Sequence, residues 1–192
     1  EFEAFEYCNA RVAIEDFFWK DFCDNYLEII KVRIYDENNL DADGKKSAKI
    51  TVAFILEILL RLFAPFMPHI TEELYSIIFG NSDQSIHIKG TWPKCFVIPM
   101  NEESIKSGNA MVEILDVVRK VKAEQQLSLK VPIDKIVLRS SANLINSEDL
   151  LQDLRNVTNT KYIEFINDKG YPLEHITKSG HYSLQIHFNQ SE

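Results

Sequence analysis

The sequence predicts a mainly α-helical bundle followed by a small α/β module. Three observations carry this reading. Apolar residues recur at three- and four-residue spacing over most of the first hundred positions, the period of a helix with one face in a core. Two prolines three residues apart interrupt an apolar helix in "LLRLFAPFMPHITEELY" (59–75) and restart it at once. After about residue 100 the text turns to one helical stripe and several short runs rich in β-branched and aromatic residues, which read as strands. The expected division is a bundle over residues 1–99 and an α/β module over residues 100–192.

Residues 2–35 read as one long helix. Phe5, Cys8, Val12, Trp19, Phe22, Tyr26, Ile29 and Ile30 keep helical spacing. Phe17, Phe18 and Trp19 are consecutive and cover roughly 200° of circumference at about 100° per residue. Such a helix is expected to be touched from more than one side, with Trp19 buried. "YDENNLDADGKK" (35–46) reads as a polar loop, and Ser47 as the cap of a second helix running to about Phe63. Proline lacks the N–H and clashes with the preceding turn, so Pro65 stops that helix. Pro68 suits the first turn of a third, where the missing N–H has no partner anyway. Glu72 and Glu73 follow near its positive end, and Gly80 closes it.

"IHI" and "WP" (86–93) read as an irregular cross-over. Met111, Ile114, Leu115, Val118 and Val121 form a helical stripe. "KIVLRSS" (135–141), "KYIEFI" (161–166) and "HYSLQIHF" (181–188) read as strands, with a short helix over "SEDLLQDLRNV" (147–157). In the last strand Tyr182, Leu184, Ile186 and Phe188 fall on one face, and Ser183, Gln185 and His187 on the other.

The formal net charge is −8. A free-standing nucleic-acid binder is usually basic, so the balance argues mildly against one while allowing a local basic patch. Cys8, Cys23 and Cys95 are far apart with no CxxC pair, the pattern of a reduced, cytoplasmic protein without structural zinc. The chain opens on helical text without an initiator Met, which reads as a piece of a longer protein. Residues 50–70 are apolar enough to resemble a membrane span. Glu57, Arg61, Pro65 and Pro68 interrupt them, so a buried core helix is the better reading and no membrane partner is expected.

Catalytic signatures are absent: there is no Walker loop, no GxGxxG and no GxSxG. His69 with Glu72 and Glu73 suits a helix start better than a metal site, because helical zinc ligands pair two His at i, i+4. His181 and His187 would lie about 20 Å apart along one strand, too far for one metal. Asp21, Asp24 and Glu28 read as a solvated helix face. The bases are more informative. Lys31 and Arg33 end the first helix and Lys45, Lys46 and Lys49 begin the next, so antiparallel packing would bring the five together. A second group is Arg119, Lys120 and Lys122. Between residues 106 and 135 six bases face four acids, a local excess in an acidic chain. Such convergence raises RNA binding above background.

Three stretches together resemble a known family. "FFWKDFCDNYLEIIKVRIY" (17–35) resembles the signature helix of the anticodon-binding domain of valyl-type class I aminoacyl-tRNA synthetases. "LLRLFAPFMPHITEELY" resembles the corner that follows it in class I synthetases generally. "VRKVKAEQQLSLKVPIDKIVL" (118–138) resembles the next module in valyl-type enzymes of the archaeal and eukaryotic kind. The middle motif is shared with isoleucyl- and leucyl-type enzymes, whereas the "W-x-DFCD-x-YLE" text points to valine. Asn25 stands where the family commonly has an aromatic. The resemblance implies a class I anticodon-binding bundle that binds tRNA(Val), and the eight bases named above, picked out by their clustering, are the candidates for its contacts. It implies no catalytic residue and no cofactor in this chain, with ATP and Mg held by a catalytic domain elsewhere in the parent synthetase. HIGH and KMSKS do not occur in these residues. DNA is not an expected partner. An isoleucyl- or leucyl-type anticodon domain and a protein-interaction bundle using the acidic surface are the alternatives.

Overall fold

A computed structural model describes residues 1–35, 42–80, 85–88, 92–93, 101–140, 147–166 and 173–188. The chain divides into two compact units, Glu1–Ile98 and Pro99–Glu192. The predicted mainly helical bundle and small α/β module are both present.

Among the described residues, the regular elements of the first unit are all helical. A 3₁₀ turn, Phe2–Ala4, ends at Phe5, whose φ of 59° is left-handed, and α1 then runs Tyr7–Asp16. From Phe17 to Leu27 the helix is π-wound, and α2 continues it over Glu28–Tyr35. The single α-helix expected over 2–35 is thus a separate 3₁₀ turn followed by three windings in series over Tyr7–Tyr35. The π turn is wider than an α turn because each N–H reaches the fifth carbonyl back. Ile14, the half-buried Phe18, the pair Phe22 and Cys23, and the pair Tyr26 and Leu27 turn inward at intervals of about four residues. The Asn25 Nδ2 donates to the Lys20 carbonyl at 2.8 Å, so this residue serves the helix itself.

The wide winding also settles the aromatic triple. Phe18 turns inward and meets Phe63 edge-on at 5.9 Å. Trp19 lies against Phe18 but is 59% exposed, and Phe17 is exposed as well. The expectation of a buried Trp19 is therefore wrong, because only one of three consecutive side chains faces the core.

Helix α3 runs Ala42–Phe63. It begins five residues before Ser47, which is an interior residue whose carbonyl accepts from the Thr51 hydroxyl at 2.9 Å. The polar loop is correspondingly shorter, and Asp36–Asp41 lie outside the described residues. Leu59 and Phe63 join Ile14 and Phe22 in one core cluster. Glu57 and Arg61 pair at 2.5 Å one turn apart. No helix among the described residues is long and apolar enough to cross a membrane.

The proline corner is as expected. Helix α3 stops at Phe63, whose carbonyl accepts from the amides of Phe66 and Met67, both at 2.9 Å. Pro68 opens α4, Pro68–Phe79. Thr71, buried, donates its hydroxyl to the Met67 carbonyl at 2.9 Å. Glu72 accepts from the Ser85 hydroxyl at 2.9 Å and the Ile86 amide at 3.1 Å, which ties the following turn to α4. A second cluster forms there from Leu60, Ala64 and Ile86 with Tyr75 and Phe79. The helix ends at Gly80, whose backbone is extended, and only glycine fits there because a Cβ would lie 1.8 Å from the Ser76 carbonyl oxygen.

The second unit begins with α5, Glu102–Glu124, capped by the Asn101 side chain, which accepts from the Glu103 and Ser104 amides. Its predicted stripe is buried throughout. Then follow β1 (Ile133–Ser140), α6 (Glu148–Thr158), β2 (Thr160–Ile166), β3 (His175–Ile176) and β4 (Tyr182–Phe188). The sheet order is β2-β1-β4-β3, with β1 and β2 parallel across the α6 connection and β4 antiparallel to its neighbours. Ile133, Ile136 and Leu138 of the central strand are fully buried. Along β4 the alternation holds except at Ser183. That residue is buried because its hydroxyl accepts from the Leu173 amide at 3.0 Å.

Candidate nucleic-acid interface

The five bases of the first unit are brought to one end of a helix pair. Phe2 meets Phe66 at 5.7 Å and Phe18 meets Phe63, so the start of the first helical run lies beside the end of α3. The runs are antiparallel, and α2 packs on α3 at the other end, where Ile30 and Ala48 are buried. The six residues between Tyr35 and Ala42 can span no more than about 24 Å. Lys31 and Arg33 therefore stand at the same end as Lys45, Lys46 and Lys49.

Their surroundings differ. Lys31 is exposed and paired with Glu28 at 3.0 Å. Arg33 and Lys45 are half-buried and keep polar contacts within the chain. Lys46 and Lys49 are exposed, and neither has an ion-pair partner among the described residues. A helix start carries partial positive charge, so lysines in and beside the first turn of α3 gain nothing from the helix dipole. An anion placed at this end would meet both the dipole and the side chains.

The second group divides. Lys120 is exposed and pairs with Glu124 at 3.9 Å, and Arg119 lies 3.8 Å from Asp116. Lys122 does not belong to any surface. It is 1% exposed, and its ammonium donates to the carbonyls of Leu129 and Val131 at 2.8 Å each and of Thr158 at 3.2 Å. Burial pushes its pKa down. The expectation that Lys122 binds RNA is therefore wrong: a side chain enclosed by three carbonyls cannot reach a phosphate. Register carried the signal for this. Lys122 follows Val118 by four residues and Leu115 by seven, which places it on the buried stripe of α5.

A bundle with a proline corner and five bases gathered at one end, in a chain that continues into an α/β module, is the architecture that the sequence resemblance implies. Residues 1–138 match the family described as the anticodon-binding domain of tRNA ligase, and the chain belongs to that family. The match passes the division between the two units and ends in β1. Among curated relatives, the valine--tRNA ligase of Rickettsia canadensis is 47% identical over 165 residues, covering 86% of this chain and 20% of the relative. That of Rickettsia felis is 48% identical over 170 residues, covering 88% and 19%. The valine--tRNA ligase of Rickettsia conorii is 46% identical over 166 residues, covering 86% and 20%. The chain spans about one-fifth of the length of the curated relatives it matches.

Proposed function

We propose that this chain is the tRNA-binding portion of a valine--tRNA ligase. It would hold the anticodon stem and loop of tRNA(Val) while a catalytic domain elsewhere in the parent chain carries out ATP-dependent aminoacylation. The observation that carries the reading is the gathering of Lys31, Arg33, Lys45, Lys46 and Lys49 at one end of the antiparallel pair in a member of the anticodon-binding family. Phosphates are neutralised by such side chains, and single-stranded loops are read by hydrogen bonds to base edges and by stacking on flat side chains. Arg119 and Lys120 would supply further cationic groups from the second unit. ATP and Mg would belong to the catalytic domain, and the parent enzyme would work in the cytoplasm. The partners are then tRNA(Val) and the rest of the synthetase chain, with neither membrane nor DNA involved.

The test replaces the five bases singly with Ala in the full-length synthetase and measures tRNA(Val) binding across a salt series. Removing one side chain that neutralises a phosphate should flatten the dependence of log affinity on log salt by roughly 0.7 to 0.9. Five variants that keep the parental affinity and slope would remove this end of the bundle from the interface.

A further inference from the structure

The segment between α5 and β1, "QQLSLKVP" (125–132), is held far more firmly than a link of its length requires. The Leu127 amide donates to the Lys122 carbonyl at 2.8 Å, and Gln126 takes a left-handed φ of 56°. Three successive carbonyls are then claimed by side chains from outside the loop. Lys122 takes those of Leu129 and Val131, and the Asn159 side-chain amide donates to that of Lys130 at 2.8 Å. Asn159 is itself fixed as the left-handed cap that ends α6, and Lys122 also holds the Thr158 carbonyl one residue before it. Placing an ammonium in a core is costly unless its donors are satisfied. The fold accepts that burden to give a surface loop one shape.

While the backbone is fixed from within, the side chains face outward. Gln125, Gln126, Ser128 and Lys130 are exposed, and Leu129 is 60% exposed. Residues 125–132 contain no acid, in a chain of net charge −8. The acids on either side are already engaged, Glu124 by Lys120 at 3.9 Å and Asp134 by Lys161 at 3.2 Å. Lys130 is thus left as the charge of the loop, beside two amides that can both donate and accept.

We infer that the loop Gln125–Lys130 is an RNA-contacting surface of the second unit, additional to the gathered bases of α2 and α3, and that Lys122 is its positioning residue. The chemistry fits a ribose-phosphate backbone with an accessible base edge. Lys130 meets a phosphate, Gln125 and Gln126 meet base-edge or 2′-hydroxyl groups, and Leu129 offers an apolar surface for a sugar or base face. A loop already in its bound shape avoids the ordering cost that a flexible one meets on binding. The loop lies inside the stretch that matches the anticodon-binding family. The inference rests on the tRNA-binding reading above.

The experiment uses the full-length synthetase and a tRNA(Val) transcript. The combined variant Gln125→Ala, Gln126→Ala and Lys130→Ala should bind about tenfold more weakly, a change of about 1.4 kcal/mol, with an unchanged thermal midpoint. Lys130→Ala alone should lower the salt slope by roughly 0.7 to 0.9. Lys122→Met, which keeps every exposed side chain of the loop, should weaken binding as well by releasing its shape. If the combined variant retains the parental affinity and slope, the loop is a structural link only and the inference falls, while binding by the parent leaves the tRNA reading in place. A parent enzyme that fails to bind the transcript would remove both.

Discussion

The two units handle their apolar residues in opposite ways. Among the described residues, the largest fully buried side chains lie in the α/β unit, with the single exception of Thr71. The exposed large hydrophobics lie in the helical unit, all but Ile105, Leu129, Tyr162 and Ile176. Helix α4 makes the contrast plain. Thr71, Tyr75 and Phe79 face inward, yet Ile70, Leu74, Ile77 and Ile78 are exposed, Ile77 by 71%. A helix that is apolar on most of its circumference ordinarily sits inside a core. The sheet of the second unit instead closes over its own apolar face and even over a lysine. Among the described residues, the helical unit leaves far more large apolar side chains exposed than the α/β unit does.

Three measurements sharpen or break that contrast. The largest effect is expected at the central strand. Leu138→Ala should cost about 4 kcal/mol in denaturant melts, because Leu138 is fully enclosed and its cavity cannot collapse. Leu59→Ala, in a cluster ringed by half-buried neighbours that can settle inward, should cost about 2 kcal/mol. Equal losses would mean that the two cores are equally tight.

Lys122→Met is expected to cost about 3 kcal/mol, since it leaves three carbonyls without their donor. Its pH dependence has a definite sign. Burial lowers the pKa of Lys122 in the folded chain below the ordinary 10.5. In the window just below 10.5 the unfolded chain therefore binds more protons, and stability gains with rising pH. The stability difference between parent and Lys122→Met should widen as pH climbs toward 10.5. A difference that narrows would mean that the carbonyl cage, not burial, dominates the titration.

Trp19→Ala should have the smallest effect, below about 1 kcal/mol, because the ring is mostly in water and touches Phe18 alone among the described aromatics. A loss of about 3 kcal/mol or more would show a buried indole and would dissolve the contrast between the units at its most exposed tryptophan.

The sequence was readable wherever one period ran without competition. The α5 stripe, the proline corner and the start of α4 follow directly from residue spacing and the missing N–H of proline. The π winding of Phe17–Leu27 was not readable, because inward positions four apart suit both α and π spacing over so short a run. Its cost was the misplaced Trp19. The start of α3 was missed because Ala42–Lys49 is polar text, and helix formation there follows from continuity with the apolar turns behind it. Among the candidate bases, convergence of the first five could be derived from antiparallel packing. Lys122 was misjudged for a different reason: counting charges along a segment ignores which face of the helix each one occupies.

The π winding carries a consequence for chain length. Eleven residues at about 4.4 per turn make about 2.5 turns, the rotation that about nine α-helical residues make. Helices α1 and α2 would therefore keep the same relative orientation if two residues were deleted between Phe17 and Leu27 and the segment rewound as ordinary α-helix. A two-residue deletion within α5 would instead turn the far part of its stripe by about 200° out of the core. The first helical run holds a reserve of two residues that α5 does not, so length variation can enter there without reorienting the ends that the segment joins.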